Sequence, residues 1–185
     1  MKKIAFVTGM TGQDGPYLAK HLLEKDYKVY GLVKRYSNPN LSNLNYLGIE
    51  NEVELITGDI TDDANMNHLV RTIRPNEFYN LAAQSFVGAS WELNKQTTEV
   101  NAMGVLNILN AIVNQNPLTR FYQASTSELY GNANIEGVQD EKTPFHPRSP
   151  YGVSKLYAYW MTINFRESYS IHASNGILFN HESPI

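Results

Sequence analysis

The chain has 185 residues and no cysteine. Disulfides and thiolate zinc sites are therefore excluded, and no metal is expected. There is no basic excess either. Lys and Arg number 15 against 18 Asp and Glu, for a net charge of −3, and no polybasic run occurs. Nothing in that balance attracts nucleic acid. No stretch approaches the roughly 20 apolar residues that a membrane span needs. The run Ile4–Val7, which follows Met1-Lys2-Lys3, is too short for the core of a secretion signal. Internal repeats and low-complexity segments are absent. These exclusions leave a soluble chain, expected in the cytoplasm, long enough for one well-packed domain.

Strand and helix patterns alternate along this chain. Ile4–Thr8 is a continuous apolar run ending at a glycine, as a strand buried on both faces reads. Tyr17, Leu18, Leu22 and Leu23 then recur at helical spacing through Lys25. Lys28–Val33 is a second strand, so the first 33 residues form a βαβ unit. Residues 36–51 read as a loop holding a short helix. Further strands are expected at Val53–Thr57, Glu77–Ala82, Arg120–Ala124 and His172–Leu178. Further helices are expected at Asn65–Ile73, Thr98–Asn114 and Val153–Ser170, with a loop over 132–149. Alternation of this kind predicts an α/β fold of Rossmann type, a doubly wound parallel sheet occupying residues 1–185.

Two motifs carry chemistry. The first is Gly9-Met10-Thr11-Gly12-Gln13-Asp14-Gly15, spaced Gly-x-x-Gly-x-x-Gly between strand and helix. A turn without Cβ atoms lets helix N-terminal amides approach a pyrophosphate. A plain helix-capping turn is the alternative. At the end of the second strand, where NAD enzymes usually place an acid, stand Lys34 and Arg35. Two cations suit the 2′-phosphate of NADP, or form a solvated surface pair. Asp59 is placed to meet an adenine amine, or to cap a helix. The second motif is Tyr151-Gly152-Val153-Ser154-Lys155, with Ser125-Thr126-Ser127 upstream. Positions i and i+4 share a helix face. A lysine there is expected to lower the phenol's pKa, so that Tyr151 accepts a proton from an alcohol as hydride leaves its carbon.

Longer blocks add a resemblance: Asn80-Leu81-Ala82-Ala83-Gln84-Ser85, Tyr122 to Gly131, Pro144 to Trp160, and Asn175 to Pro184. With the glycine turn, they resemble extended short-chain dehydrogenase/reductases acting on nucleotide sugars, and most closely the GDP-mannose 4,6-dehydratase family. The resemblance implies a lyase that oxidises C4 of GDP-mannose, eliminates water across C5 and C6, and reduces C6 with recycled NADP. It implies catalytic roles for Thr126, Glu128, Tyr151 and Lys155, with Glu128 serving the C5 proton; the alternative for Glu128 is a helix-capping or surface acid. It implies cofactor contacts from Gly9, Thr11, Gly12, Gln13, Asp14, Gly15, Arg35, Asp59, Ile60, Leu81, Ala82, Ala83, Ser85, Tyr151, Lys155 and His181. Substrate contacts are implied from Ser85, Thr126, Glu128, Tyr151 and Asn180. Helices 98–114 and 153–170 are implied to form a four-helix bundle across a two-fold axis, and the 36–46 loop to pair dimers, giving a homodimer or homotetramer. Family members are much longer, so a fragment without the C-terminal substrate lobe is expected. Two other readings stay open: a related 4-epimerase or 4-keto reductase, and a non-catalytic dinucleotide-binding fragment.

Overall fold

A computed structural model describes residues 2–34, 40–132 and 137–185. Six strands form one parallel sheet: β1 (Ile4–Thr8), β2 (Lys28–Val33), β3 (Glu54–Thr57), β4 (Glu77–Asn80), β5 (Arg120–Ala124) and β6 (Ala173–Gly176). Their order across the sheet is β3-β2-β1-β4-β5-β6. The order reverses between β1 and β4, the doubly wound arrangement that opens a crevice at the carboxyl ends of those strands.

Helices cover both faces. One face carries α1 (Asp14–Glu24) and α2 (Ser42–Tyr46), packed on Ala5, Val7, Met10 and Val29. The other carries α3 (Asp63–Ile73), α5 (Gly104–Gln115) and α6 (Pro150–Tyr169), packed on Phe6, Leu32, Phe78 and Phe121. Strand alternation produces this split, since neighbouring residues of β1 serve opposite layers. In-register pairing aligns Phe6, Phe78 and Phe121 across three strands. Their ring centroids lie 4.8 and 6.0 Å apart, within the range of favourable edge-on aromatic contacts.

The structure shifts several expected boundaries. Helix α6 starts at Pro150 rather than Val153, because the Ser149 hydroxyl accepts the Gly152 N–H at 3.0 Å and Pro150 occupies the first turn. Asp62 caps α3 in the same way. Strand β4 ends at Asn80, two residues early, because the Leu81 and Ala82 amides donate to the Thr8 hydroxyl. Strand β6 is confined to Ala173–Gly176. The helix expected from Thr98 begins earlier, as α4 (Asn94–Thr98), and runs through a π-turn over Glu99–Met103 before α5. The short helix expected within 36–51 is α2. Among the described residues, no helix is long and apolar enough to cross a membrane, and no group of three or more metal-ligating side chains occurs.

Candidate active site

The glycine turn takes its spacing from close contacts. Gly9 has φ +71°, and a Cβ there would lie 2.8 Å from the Leu81 carbonyl carbon. A Cβ on Gly15 would lie 2.5 Å from the Gly9 oxygen. The first glycine thus lets β1 turn beside the end of β4, and the last lets α1 start against the turn. Gly12 N–H closes the turn onto Gly9 O at 3.0 Å. The residues opening α1 consequently line the crevice at the switch point, where a helix N-terminus favours an anion.

That crevice is a cleft of about 910 Å³. It brings together Gly9, Thr11, Gly12, Gln13, Asp14 and Gly15 from the turn with Asp59 and Ile60 from the end of β3. Leu81, Ala82, Ala83 and Ser85 line it after β4, Thr126 after β5, Tyr151 and Lys155 from α6, and Asn180 and His181 after β6. Glu128 is not among the lining residues; it sits half-buried on the turn Ser127–Leu129, where its N–H donates to the Thr126 hydroxyl at 3.2 Å. Its charge makes a minor contribution to raising the Tyr151 phenol. Arg35 lies outside the described residues.

Tyr151 is 8% exposed. Burial raises its phenol above the ordinary value; the hydrogen bond with Thr126 works against that rise, and the Glu128 charge adds to it. The lowering expected from Lys155 is therefore not what this structure shows. The Lys155 ammonium lies 5.8 Å from the Tyr151 ring centroid and donates to Ala124 O at 3.0 Å. Lys155 is 4% exposed, and burial drives its pKa down to about 8.

The cation expected to await a 2′-phosphate is also engaged. Lys34 Nζ stands 3.4 Å from Asp59. Burial pushes the Asp59 carboxyl up, but the Thr61 N–H and hydroxyl, each at 2.9 Å, together with Lys34, hold it below the ordinary carboxylate range. Asp59 orders its own turn rather than capping α3, which Asp62 does.

Past β6, the chain crosses back to α1. His181 Nε2 lies 2.9 and 3.0 Å from the two Asp14 oxygens, and Nδ1 lies 2.8 Å from Phe179 O. Gln13 Nε2 donates to His181 O at 3.3 Å. With both ring nitrogens facing acceptors, the imidazolium is favoured, and the His181 pKa is raised first by the Phe179 carbonyl and then by Asp14. The folded value lies above the ordinary 6.5. The resulting stability is thus fully present below that pH and is lost as pH rises through the folded value. The side chain is 48% exposed, so the contribution is below about 1 kcal/mol. A melting series from about pH 5.5 to about pH 8.5 should show this decline in wild type and not in His181→Gln.

Sequence reasoning missed a polar seam under the site. Thr8 Oγ1 donates to Asn80 Oδ1 at 2.6 Å, Asn80 Nδ2 to Gln123 Oε1 at 2.8 Å, and Gln123 Nε2 to Ala124 O at 2.8 Å. Ala124 O is the oxygen that also accepts Lys155. A buried chain of hydrogen bonds therefore ties the glycine turn to the lysine across three strand ends. Asn101 was missed as well. From the π-turn, its carboxamide accepts Gln84 N–H at 2.8 Å and donates to Gln84 O at 3.0 Å, fixing the loop after β4. Such interruptions of helices occur frequently at functional sites.

Sheet order and cleft together define the class: a doubly wound α/β protein of Rossmann architecture. A family model described as GDP-mannose 4,6 dehydratase matches residues 6–185, and the chain belongs to that family. A GDP-mannose 4,6-dehydratase of Yersinia enterocolitica is 55% identical over 192 residues, covering 100% of this chain and 51% of its own length. The human protein of the same description is 48% identical, over 99% of this chain and 51% of its length. The chain spans about half the length of the curated relatives it matches. Among solved structures, a dTDP-glucose 4,6-dehydratase from Streptomyces venezuelae, with NAD bound, is 26% identical. It superposes with a TM-score of 0.79 over 91% of this chain and 53% of its own. A dTDP-glucose 4,6-dehydratase from Bacillus anthracis, 22% identical with a TM-score of 0.80 over 98% of this chain and 56% of its own, shares the fold.

Proposed function

We propose that residues 1–185 are the dinucleotide-binding and catalytic half of a GDP-mannose 4,6-dehydratase, using NADP. One observation carries the reading: Thr126, Tyr151 and Lys155 meet in the same cleft as the glycine turn, with the Glu128 carboxylate acting on the phenol. Membership of the family supports the substrate. The glycine cradle, too tight for a Cβ at Gly9 and Gly15, fits a pyrophosphate. Lys34, at the adenine end, supports a 2′-phosphate, which would compete with Asp59 for the ammonium.

In this reading, Tyr151 takes the proton of the hexose 4-hydroxyl, and Thr126 hydrogen-bonds that oxygen. Lys155 holds the ribose next to the nicotinamide. The bound cofactor supplies a hydride acceptor at C4 and later a hydride donor at C6. Between those events Glu128 removes the C5 proton, acidified by the C4 ketone, and protonates the C6 hydroxyl, which leaves as water. Oxidation and reduction cancel, so the net change is loss of one water. Val153, Tyr157 and Trp160, which are 56%, 38% and 50% exposed, form an apolar stripe on α6 that supports a homodimer through this helix.

Mass spectrometry of the chain incubated with GDP-mannose and NADP+ tests the reading, with a C-terminally extended protein beside it. A product lighter by one water, with no net cofactor reduction, is expected. Glu128→Gln should retain C4 oxidation, accumulate reduced cofactor, and lose elimination by about 10²–10⁴-fold. A product of unchanged mass would instead mark an epimerase. Binding of NADP without turnover in the extended protein would mark a non-catalytic module.

A further inference from the structure

The cleft contains a buried polar group, without a partner, that its described catalytic set leaves unused. Ser125 follows β5 directly, lines the cleft and is 4% exposed, yet its hydroxyl has no hydrogen-bond partner. Only one other buried side-chain polar atom among the described residues shares that condition, Asn175 Oδ1, and Asn175 is absent from the lining of this cleft. Buried hydroxyls are nearly always paired, because leaving one unpaired forfeits its hydration without return. An orphan in a ligand cleft is therefore a group held ready for a partner that arrives from outside.

The neighbouring lysine is in the same position. An ammonium has three donors. Lys155 uses one, on the carbonyl of Ala124, the residue adjacent to Ser125. Two of its donors and the Ser125 hydroxyl thus stand unfilled at the end of one strand. Both anchors are rigid. Ser125 N–H is fixed by Gly176 O at 2.8 Å, and Ala124 O is shared with the Gln123 carboxamide. The adjacent Thr126 differs, since its hydroxyl is already engaged with Tyr151 and with the Glu128 amide.

We infer that Ser125 is a further binding residue, whose hydroxyl hydrogen-bonds an uncharged polar group on the nicotinamide half of the dinucleotide. The class of group follows from the surroundings. A hydroxyl both donates and accepts, which suits a ribose hydroxyl or a carboxamide, whereas the ammonium beside it already answers any need for positive charge. The inference rests on the dinucleotide reading above and assigns a role to a side chain outside the Thr126, Tyr151 and Lys155 set.

Titration calorimetry and thermal melting of wild type and Ser125→Ala test it with two probes. The probes are NADP+ and adenosine 2′,5′-bisphosphate, which has no nicotinamide half. Ser125→Ala should bind NADP+ about fivefold to tenfold more weakly, the range of one lost hydrogen bond, and should bind the bisphosphate as wild type does. Without ligand, its melting temperature should equal or exceed that of wild type, because an unsatisfied buried group has been removed. Ser125→Thr, which keeps the hydroxyl, should recover part of the NADP+ affinity. A lower melting temperature in free Ser125→Ala would mean that the hydroxyl is structural and would overturn the inference. Equal weakening toward both probes, or undiminished NADP+ affinity, would overturn it too. Failure of wild type to bind either probe would remove the dinucleotide reading and this inference with it.

Discussion

Tyr151→Phe is expected to reduce turnover of GDP-mannose by about 10²–10⁴-fold while leaving the fold intact. The substitution deletes one oxygen. Tyr151 is 8% exposed and lies on the first turn of α6, so the ring keeps its packing. What disappears is the group proposed to take the 4-hydroxyl proton. Thr126 loses one hydrogen-bond partner but keeps the Glu128 amide, which limits the structural cost to about 1 kcal/mol. Affinity for the nucleotide sugar should change little, since the loss lies in the chemical step. The pH profile separates this role from a packing role. Burial and the Glu128 charge hold the phenol above its ordinary value, so wild-type turnover should rise with pH on the alkaline side of neutrality as the phenolate forms. The residual rate of Tyr151→Phe should lack that rise. Single-turnover product formation followed by mass spectrometry gives both numbers. Wild-type rates in the variant would end the assignment of Tyr151 as the base.

Legibility in the sequence tracked the kind of force that sets each feature. Strand β1 was readable to the residue, because a strand buried on both faces needs an unbroken apolar run and a glycine ends this one; β2 also has its expected bounds. The glycine turn was readable because steric contact sets its spacing, and the contacts of Gly9 and Gly15 bear directly on it. Features made by side-chain hydrogen bonding between distant segments were opaque. Thr8, Asn80 and Gln123 are separated by 72 and 43 residues and meet only because parallel strands bring their ends level. Nothing local distinguishes them from solvated polar residues. Asn101 is a mid-helix asparagine whose partner lies 17 residues earlier, and the π-turn that aims it has no periodic signature. Lys34 and Asp59 face each other across the ends of β2 and β3, a pairing that neither residue's local sequence signals. The Tyr151–Lys155 spacing did place both side chains in one cleft. It did not reveal that Ala124 O draws the ammonium away, nor that burial dominates the phenol.

Lys155→Met should abolish dinucleotide-dependent turnover and make the free protein more stable. Burial lowers the lysine from its ordinary 10.5 to about 8. The unfolded chain therefore holds the proton more tightly than the folded one. Stability rises with pH between about 8 and 10.5, and below about 8 the buried ammonium costs the fold its full share. At about 1.4 kcal/mol per pH unit, that share is about 3 kcal/mol at neutral pH. Methionine matches the length of the lysine stem and carries no charge to desolvate. It also leaves no orphan behind, because Ala124 O keeps its hydrogen bond from Gln123 Nε2. Urea unfolding at pH 7 should thus show a gain approaching about 3 kcal/mol, shrinking as pH rises above about 8 and vanishing only above 10.5, where the wild-type lysine becomes neutral in both states. A less stable Lys155→Met at pH 7 would contradict the buried, weakly compensated ammonium. A gain in stability joined to loss of NADP+ binding means that the fold carries this charge at a cost, for the ligand that completes its hydrogen bonds. The Ser125 hydroxyl, buried without a partner beside it, is the neutral counterpart of the same arrangement.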